Sequence, residues 1–360
     1  MPNRLKKILE SKDIAASAPC RIDMGGTLDI NTFYYPLRHL TPCTFNIAID
    51  LRTKVHLLPY KEGMVKVSSK GFKSAEYLID DAPFNHPFGL IFAVASYFRA
   101  GGIHIDIDSS SPPRSALGGS SAATVALVAA FSALFEQIDP ENIQFREKTA
   151  LIAHALEESV AGVPCGLQDQ LAASFGGVNA WYWTGDIKIP FFRKNLVFAN
   201  RSLKCLEEHL LLAYCGVPHE SKNINERWVK QFVSGTNRNL WTEVVDCTKK
   251  FVEGLSTLIL TGQTFKEVST LMNKETAIRK RMTPDVLDDM GEKLTDFAVE
   301  NNCGARFTGA GGGGCIWALG EINDIKRLKR IWEKELNNKK GACLLNLKID
   351  FEGLKIDSNV

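Results

Sequence analysis

Several features are missing from this chain, and each absence removes a class of function. No apolar stretch approaches the roughly 20 residues a bilayer-spanning helix needs, and the basic amino end MPNRLKKILESKDIAASAPC has no long apolar core before Ala15. There is no CxxC pair and no cluster of His beside Cys. The nine cysteines are an odd, scattered set, which suits reduced thiols packed in a core better than disulfides or structural zinc. Neither charge dominates: 43 Lys plus Arg face 41 Asp plus Glu, so no broad basic face argues for nucleic acid or an acidic membrane surface. Repeats and low-complexity segments are also lacking. These absences predict a soluble cytoplasmic protein acting on a small molecule, with no nucleic acid and no membrane as partner, as a monomer or homodimer. With 360 residues and 45% hydrophobic content, two α/β domains are expected.

Residues that are present order the chain further. APCRID, a glycine turn, CTFNIAIDLRTKVHLLPY and MVKVSSKGF alternate apolar and polar positions as half-buried strands do. Helices are predicted over His86–Arg99, from Ala122 to Leu134, and from about Phe145 to Val160. A turn and strand follow over Gly176–Trp183, and Leu210–Tyr214 reads as a strand. With a boundary near residue 200, the domains span 1–200 and 201–360. Beyond it, Trp228–Thr261, Phe265–Lys274 and Pro284–Asn301 read as helices, then come a glycine-rich loop, a CIWAL strand, one more helix and a closing LLNLKID strand.

Pro112 to Leu134, PPRSALGGSSAATVALVAAFSAL, carries the strongest chemical signal. A flexible, hydroxyl-bearing loop runs straight into a helix apolar on nearly every side. The unpaired N–H groups and partial positive charge of such a helix start hold phosphate oxygens without a cationic side chain. Gly118 and Gly119 let the backbone approach a ligand, and Ser120 and Ser121 offer a cap and a hydroxyl for a phosphate-bound metal. No GK[ST] closes the loop, so this is not a Walker site. The second loop, Gly309 to Gly314, matches GxGxxG formally, but a helix precedes it and a strand follows. That order is the reverse of a dinucleotide fingerprint. In GVPCGLQDQ, Asp169 could act as a base or merely cap a short helix over Gln170–Ser174.

Taken together the three segments resemble the GHMP kinases, the family of galactokinase, homoserine kinase, mevalonate kinase and phosphomevalonate kinase. PPRSALGGSSAA is similar to its phosphate motif, RFTGAGGGGC to its carboxyl-terminal glycine motif and APCRIDMGGTLD to its amino-terminal substrate motif, in the family's order. GVPCGLQDQ is similar to the galactokinase segment that holds the catalytic aspartate, while LQDQLAASFGG and VPHESKNINERW resemble heptose-phosphate kinases. The resemblance implies an α+β protein of the GHMP kinase fold. Its amino-terminal, ATP-binding domain would resemble the second domain of ribosomal protein S5, and its carboxyl-terminal domain would be ferredoxin-like.

The same resemblance implies ATP and Mg²⁺ as cofactors and a sugar or sugar phosphate as acceptor, with the anomeric C1 hydroxyl of a hexose or heptose receiving the phosphoryl group. Asp169 would be the catalytic carboxylate and Arg21 the cation beside it. Asp29 would accept hydrogen bonds from sugar hydroxyls, with Gly26, Gly166 and Gly311 lining the acceptor site. Pro113, Leu117, Gly118, Gly119, Ser120, Ser121 and Ala122 would cradle the phosphates together with Gly309 and Gly312, and Glu157 with Ser120 or Ser121 would hold magnesium. Arg279, Lys280 and Arg281 form a basic cluster that could meet a phosphate already on the acceptor. The chain lacks the Glu-His pair of galactokinases, which argues against galactose itself. Two rival readings are a kinase of a non-sugar alcohol such as mevalonate and a catalytically silent binding relative. Retention of Arg21, Glu157 and Asp169 argues against silence.

Overall fold

The computed structural model describes residues 2–135, 138–162, 164–196, 206–218, 221–257 and 260–359. The expected domain boundary at 200, and Val163, His219 and Glu220 of the motifs above, lie outside the described residues.

The first sheet is built on two long strands, β1 (Asp13–Met24) and β2 (Cys43–Pro59), paired antiparallel along most of their length. Beyond the second half of β2 lie β5 (Ile103–Ser109), β3 (Met64–Ser69) and β4 (Ala75–Leu78). The first half of β2 instead pairs with β6 (Val178–Trp183), which carries β7 (Phe191–Asn195). β3 and β5 run parallel, with Ser69 opposite Ile107. The two halves of β2 read differently for a physical reason. Cys43–Ile49 is buried without a break, whereas Leu51–Pro59 alternates. The first half is covered on both faces, and the second has one face toward solvent.

One face of this sheet is covered by α3 (Gly89–Tyr97), α4 (Gly119–Phe135) and α6 (Gln168–Phe175), with α5 (Ile143–Ala161) packed on these helices. Every residue of α4 from Ser121 to Phe131 is buried against β1, β2, α5 and α6, as its unbroken apolar text requires. On the other face, Ile22, Phe33, Phe45 and Ile47 join Trp228, Trp241, Phe251 and Trp317 from the second half of the chain in one continuous core. Phe33 comes from the short helix α2 (Asn31–Leu37) that follows β1.

The second sheet has the order β11–β8–β10–β9, all antiparallel, from β8 (Leu210–Tyr214), β9 (Gly304–Phe307), β10 (Cys315–Leu319) and β11 (Cys343–Leu345). In chain order that is 4-1-3-2, with helices before the second and fourth strands, a ferredoxin-like arrangement. The helix expected over Trp228–Thr261 is two helices, Ser221–Val233 (α7) and Arg238–Leu255 (α8). Gly235 and Asn237, at φ +85° and +64°, turn the chain between them. The next helix, α9 (Gly262–Met282), is longer than expected at both ends. It is started by a capping box at Thr261 and Thr264. A single turn at Pro284–Val286 then separates it from α10 (Asp289–Glu300), and α11 (Ile322–Leu336) lies between β10 and β11.

The closing strand was expected over 344–350. Only Cys343–Leu345 pairs in the second sheet, and the chain then leaves it. Ile349 bridges Ile49, and β12 (Lys355–Asn359) adds to the outer side of β1. The carboxyl end therefore belongs to the first sheet. An amino-terminal helix over Pro2–Ser11, whose sequence gave no such expectation, packs Leu5 and Leu9 under β1 and β2.

Candidate active site

A cavity of about 730 Å³ opens where β1, the loop before α4, the start of α6 and the glycine loop after β9 meet. Each contributor is held there by a backbone contact. The Arg21 N–H donates to the Leu117 carbonyl at 2.9 Å, binding the loop before α4 to β1. The Gly309 N–H donates to the Asp23 carboxylate at 2.6 Å, binding the second half of the chain to the same strand. Arg21 and Asp23 are two residues apart and so share one face of β1.

Arg21 and Asp169 form a forked ion pair: Nε to Oδ1 and Nη2 to Oδ2, both 2.8 Å. Nη1 donates to the Ala116 carbonyl at 2.5 Å and lies 3.6 Å from Asp23. Burial works against the charge on Arg21, but Asp169 and Asp23 outweigh it and hold the guanidinium firmly protonated. Asp169 is not a helix cap. α6 begins at Gln168, with Leu167 in the cap position, and the Asp169 carboxylate turns into the cavity, leaving its side chain 22% exposed. It stands at the mouth of α4, because a Cβ placed on Gly118 would lie 3.3 Å from its Oδ2. Gly118 has φ +75°, a backbone conformation that favours glycine.

The first hydrogen bond of α4 runs from Ala122 N to Gly118 O, leaving the N–H groups of Gly119, Ser120 and Ser121 at the cavity lining. Ser121 Oγ donates to Glu157 Oε2 at 2.8 Å, Ser120 Oγ to Oε1 at 3.4 Å, and Gln170 Nε2 to Oε2 at 2.7 Å. Burial pushes the Glu157 carboxyl above its usual range, and Asp169 adds to the shift against the hydrogen bonds that oppose it. Glu157 has no Lys, Arg or His partner among the described residues. Hydroxyls converging on an uncompensated carboxylate at a phosphate-binding helix start fit a magnesium ion, which takes one or two protein oxygens and keeps water on the rest.

Asp29 lies in the turn after β1. Its Oδ2 accepts from the Gln168 N–H at 3.0 Å and its Oδ1 has no partner. Burial pushes its pKa up to about 7, against the pull of the Gln168 hydrogen bond. Gly166 must be glycine, because a Cβ there would fall 1.8 Å from Asp29 Oδ2. Cys165 also lines the cavity, its thiol raised to about 12 by burial and by the neighbouring acids Glu157, Glu158 and Asp169. A second arm of the cavity is apolar, formed by Phe72, Pro87, Phe88, Leu90, Ile91 and Ile107 with Thr53 and Ser109. The sequence had left the place of a nucleotide base open.

Of the residues expected at the site, Arg21, Asp29, Pro113, Gly118, Gly119, Ser120, Ser121, Glu157, Gly166, Asp169 and Gly309 all line this one cavity. Leu117 and Ala122 are buried behind it and shape the loop by backbone bonds. Gly26 stands one layer back, its carbonyl accepting from Arg279 at 2.7 Å. Gly311 and Gly312 turn away to Val286: the Gly312 N–H donates to the Val286 carbonyl at 2.7 Å, and a Cβ on Gly311 would strike that same oxygen. Only the start of the glycine loop, Gly309 and Ala310, reaches the cavity.

The basic cluster 279–281 does not line the cavity. Arg279 is fully buried beside the rings of Trp228 and Trp241, at 4.8 and 4.6 Å, and donates to Glu275 at 2.7 Å. Lys280 pairs with Glu292 and Arg281 with Glu243. Arg306 joins the same buried chain, donating to Glu275 at 2.9 Å and to Asp23 at 3.2 Å. Burial raises the Glu275 carboxyl, but Arg306 and Arg279 outweigh it and hold it below the usual range. Asp23 had escaped notice in the sequence, although a second charged residue two places after Arg21 in an apolar strand was the available signal.

Residues 85–177 match the model of the GHMP kinases N terminal domain, which takes in the loop before α4, Glu157 and Asp169. The chain is 25% identical over 377 residues to a mevalonate kinase of Thermococcus sibiricus, covering 96% of this chain and 99% of the relative. It is 24% identical over 337 residues to the D-glycero-alpha-D-manno-heptose 7-phosphate kinase of Campylobacter jejuni, covering 89% and 94%. Among solved structures, galactokinase of Lactococcus lactis complexed with galactose superposes with a TM-score of 0.71 at 15% identity, covering 98% of both chains. The fold is the GHMP kinase fold.

Proposed function

We propose that this chain, a GHMP-family kinase by its N-terminal domain and its fold, transfers the γ-phosphoryl group of ATP to a hydroxyl of a sugar. The observation that carries the reading is the Arg21–Asp169 pair set at the mouth of α4. An anion site and a fixed carboxylate face one cavity, as in-line transfer to an alcohol requires.

In this reading the triphosphate lies on the N–H groups of Gly119–Ser121, and the base occupies the apolar arm at Phe72 and Phe88. Arg21 fixes both oxygens of Asp169, so the carboxylate orients the acceptor hydroxyl. As the new O–P bond forms and the bond to the ADP oxygen breaks with its electron pair, the hydroxyl proton passes to Asp169. The Arg21 charge steadies the equatorial oxygens. Glu157 and Ser121, with Ser120 beside them, would hold magnesium, which would neutralise charge on the polyphosphate.

The acceptor side favours a neutral polyol. Asp29, Asp169 and Glu157 line it, and the guanidinium of Arg21 is already engaged with Asp169 and Ala116. Asp29 Oδ1, buried and without a partner, stands ready for a hydroxyl. The anomeric C1 hydroxyl is the position to examine first.

ADP production should be screened with free sugars, sugar phosphates and mevalonate, with Asp169→Asn as control and phosphorus NMR to locate the product ester. A free sugar should turn over, and the control should lose about 10²–10⁴-fold in rate. Turnover of mevalonate alone, or a control as fast as the parent, would overturn the reading.

A further inference from the structure

Two side chains of the cavity have no place in the reaction described so far. Lys70 follows the end of β3 and Arg114 lies in the loop between β5 and α4, and both line the cavity. β3 and β5 run parallel and in register, so these loops leave the sheet at the same end. Ligands of open sheets gather beyond the carboxyl ends of parallel strands. Lys70 is two residues from Phe72, in the apolar arm, and Arg114 is five before Gly119, the first residue of α4. The pair thus spans the stretch between a base and the helix mouth.

Charge and backbone both set these residues apart. The lining holds three carboxylates, Asp29, Glu157 and Asp169, and three cations, of which Arg21 is bound to Asp169. Lys70 and Arg114 have no acidic partner among the described residues. A polyphosphate entering here would meet net acid without them. Arg114 also holds a conformation that a side-chain-bearing residue rarely adopts, φ +53°, as does Ala116 at +62°. Such positions usually belong to glycine, and strain of this kind concentrates where a ligand is held.

We propose that Lys70 and Arg114 form a two-sided cationic clamp on the polyphosphate of the bound nucleotide, gripping the part that departs as ADP. Arg114 supplies a planar fork and Lys70 a mobile point charge from the opposite loop. The proposal rests on the kinase reading above, and the test separates the two.

ADP with magnesium is titrated calorimetrically into the parent chain, Arg114→Gly and Lys70→Ala, at two salt concentrations. Each variant should bind ADP about ten-fold more weakly and lose part of the salt dependence, as expected for the loss of one charge-assisted contact. Arg114→Gly should melt no lower than the parent, because glycine accepts φ +53° freely, so weaker binding cannot be put down to a damaged fold. If Arg114→Gly folds poorly, Lys70→Ala, on a separate turn, still decides. Variants that bind ADP within two-fold of a parent that itself binds overturn the clamp and leave the kinase reading standing. A folded parent that binds no ADP overturns both.

Discussion

Arg21 holds Asp169 through two parallel hydrogen bonds of 2.8 Å across 148 positions of sequence. A fork of this kind fixes the plane of the carboxylate as well as its position. Lysine would keep the charge and lose the plane. Arg21→Lys should therefore lower kcat about 10–100-fold while the KM for ATP changes only a few-fold, read from steady-state ADP release. An unchanged kcat would mean that the orientation of Asp169 is immaterial.

Asp29, raised to about 7 by burial, should impose a pH dependence on acceptor binding. Its carboxylate accepts hydrogen bonds from hydroxyls better than its protonated form, so the acceptor KM should fall as pH rises through 7. Stability runs the other way. The folded chain keeps a proton on Asp29 between about pH 4 and 7 that the unfolded chain has lost, so the favourable contribution fades as pH climbs through that window. Asp29→Asn should remove the inflection in KM and flatten this part of a denaturation-versus-pH series. An inflection that survives in the variant would assign it to another group.

Glu157 meets both serine hydroxyls of the α4 mouth. Glu157→Gln keeps the shape and deletes the charge, so the magnesium concentration for half-maximal rate should rise roughly ten-fold, the size of one charged contact. Titrating magnesium at fixed ATP measures this. A variant with the parental magnesium curve would place the ion elsewhere.

Glu275 is buried between Arg279 and Arg306. Glu275→Gln leaves two guanidinium groups buried without their shared partner, and the loss should be about 3–5 kcal/mol in urea denaturation. Because this carboxyl is held below its usual range, its contribution is complete above the unfolded value and drains away only in acid. The difference between parent and variant should therefore shrink as pH drops below about 4. A constant difference would mean that packing rather than charge sets the loss.

The sequence disclosed the parts of this molecule that local rules govern. The α4 helix and its loop were legible because an apolar helix after Gly118 and Gly119 admits few other readings, and the order of strands and helices followed from their periods. What stayed hidden depends on contacts across the chain. The basic look of 279–281 gave no hint that Arg279 turns inward to Glu275 and two tryptophans while its neighbours pair on the surface. The glycine loop looked uniform, yet Gly311 and Gly312 serve packing against Val286 and only its start meets the cavity. The break between α7 and α8 was carried by Gly235 and Asn237 within an otherwise helical pattern. The two acids that flank Arg21 show the same limit. Asp23 was two residues away and could have been noticed, but its union with Gly309 is tertiary.

β12 lies along β1, the strand that bears Arg21, with Asp13 opposite Asn359 and Ser17 opposite Lys355. During synthesis, β1 leaves the ribosome long before this neighbour. The strand that organises the cavity must therefore wait, with one side open, until β12 has been made. A fragment spanning only the amino-terminal half would keep that side bare for good, offering a ready surface for mispairing between copies.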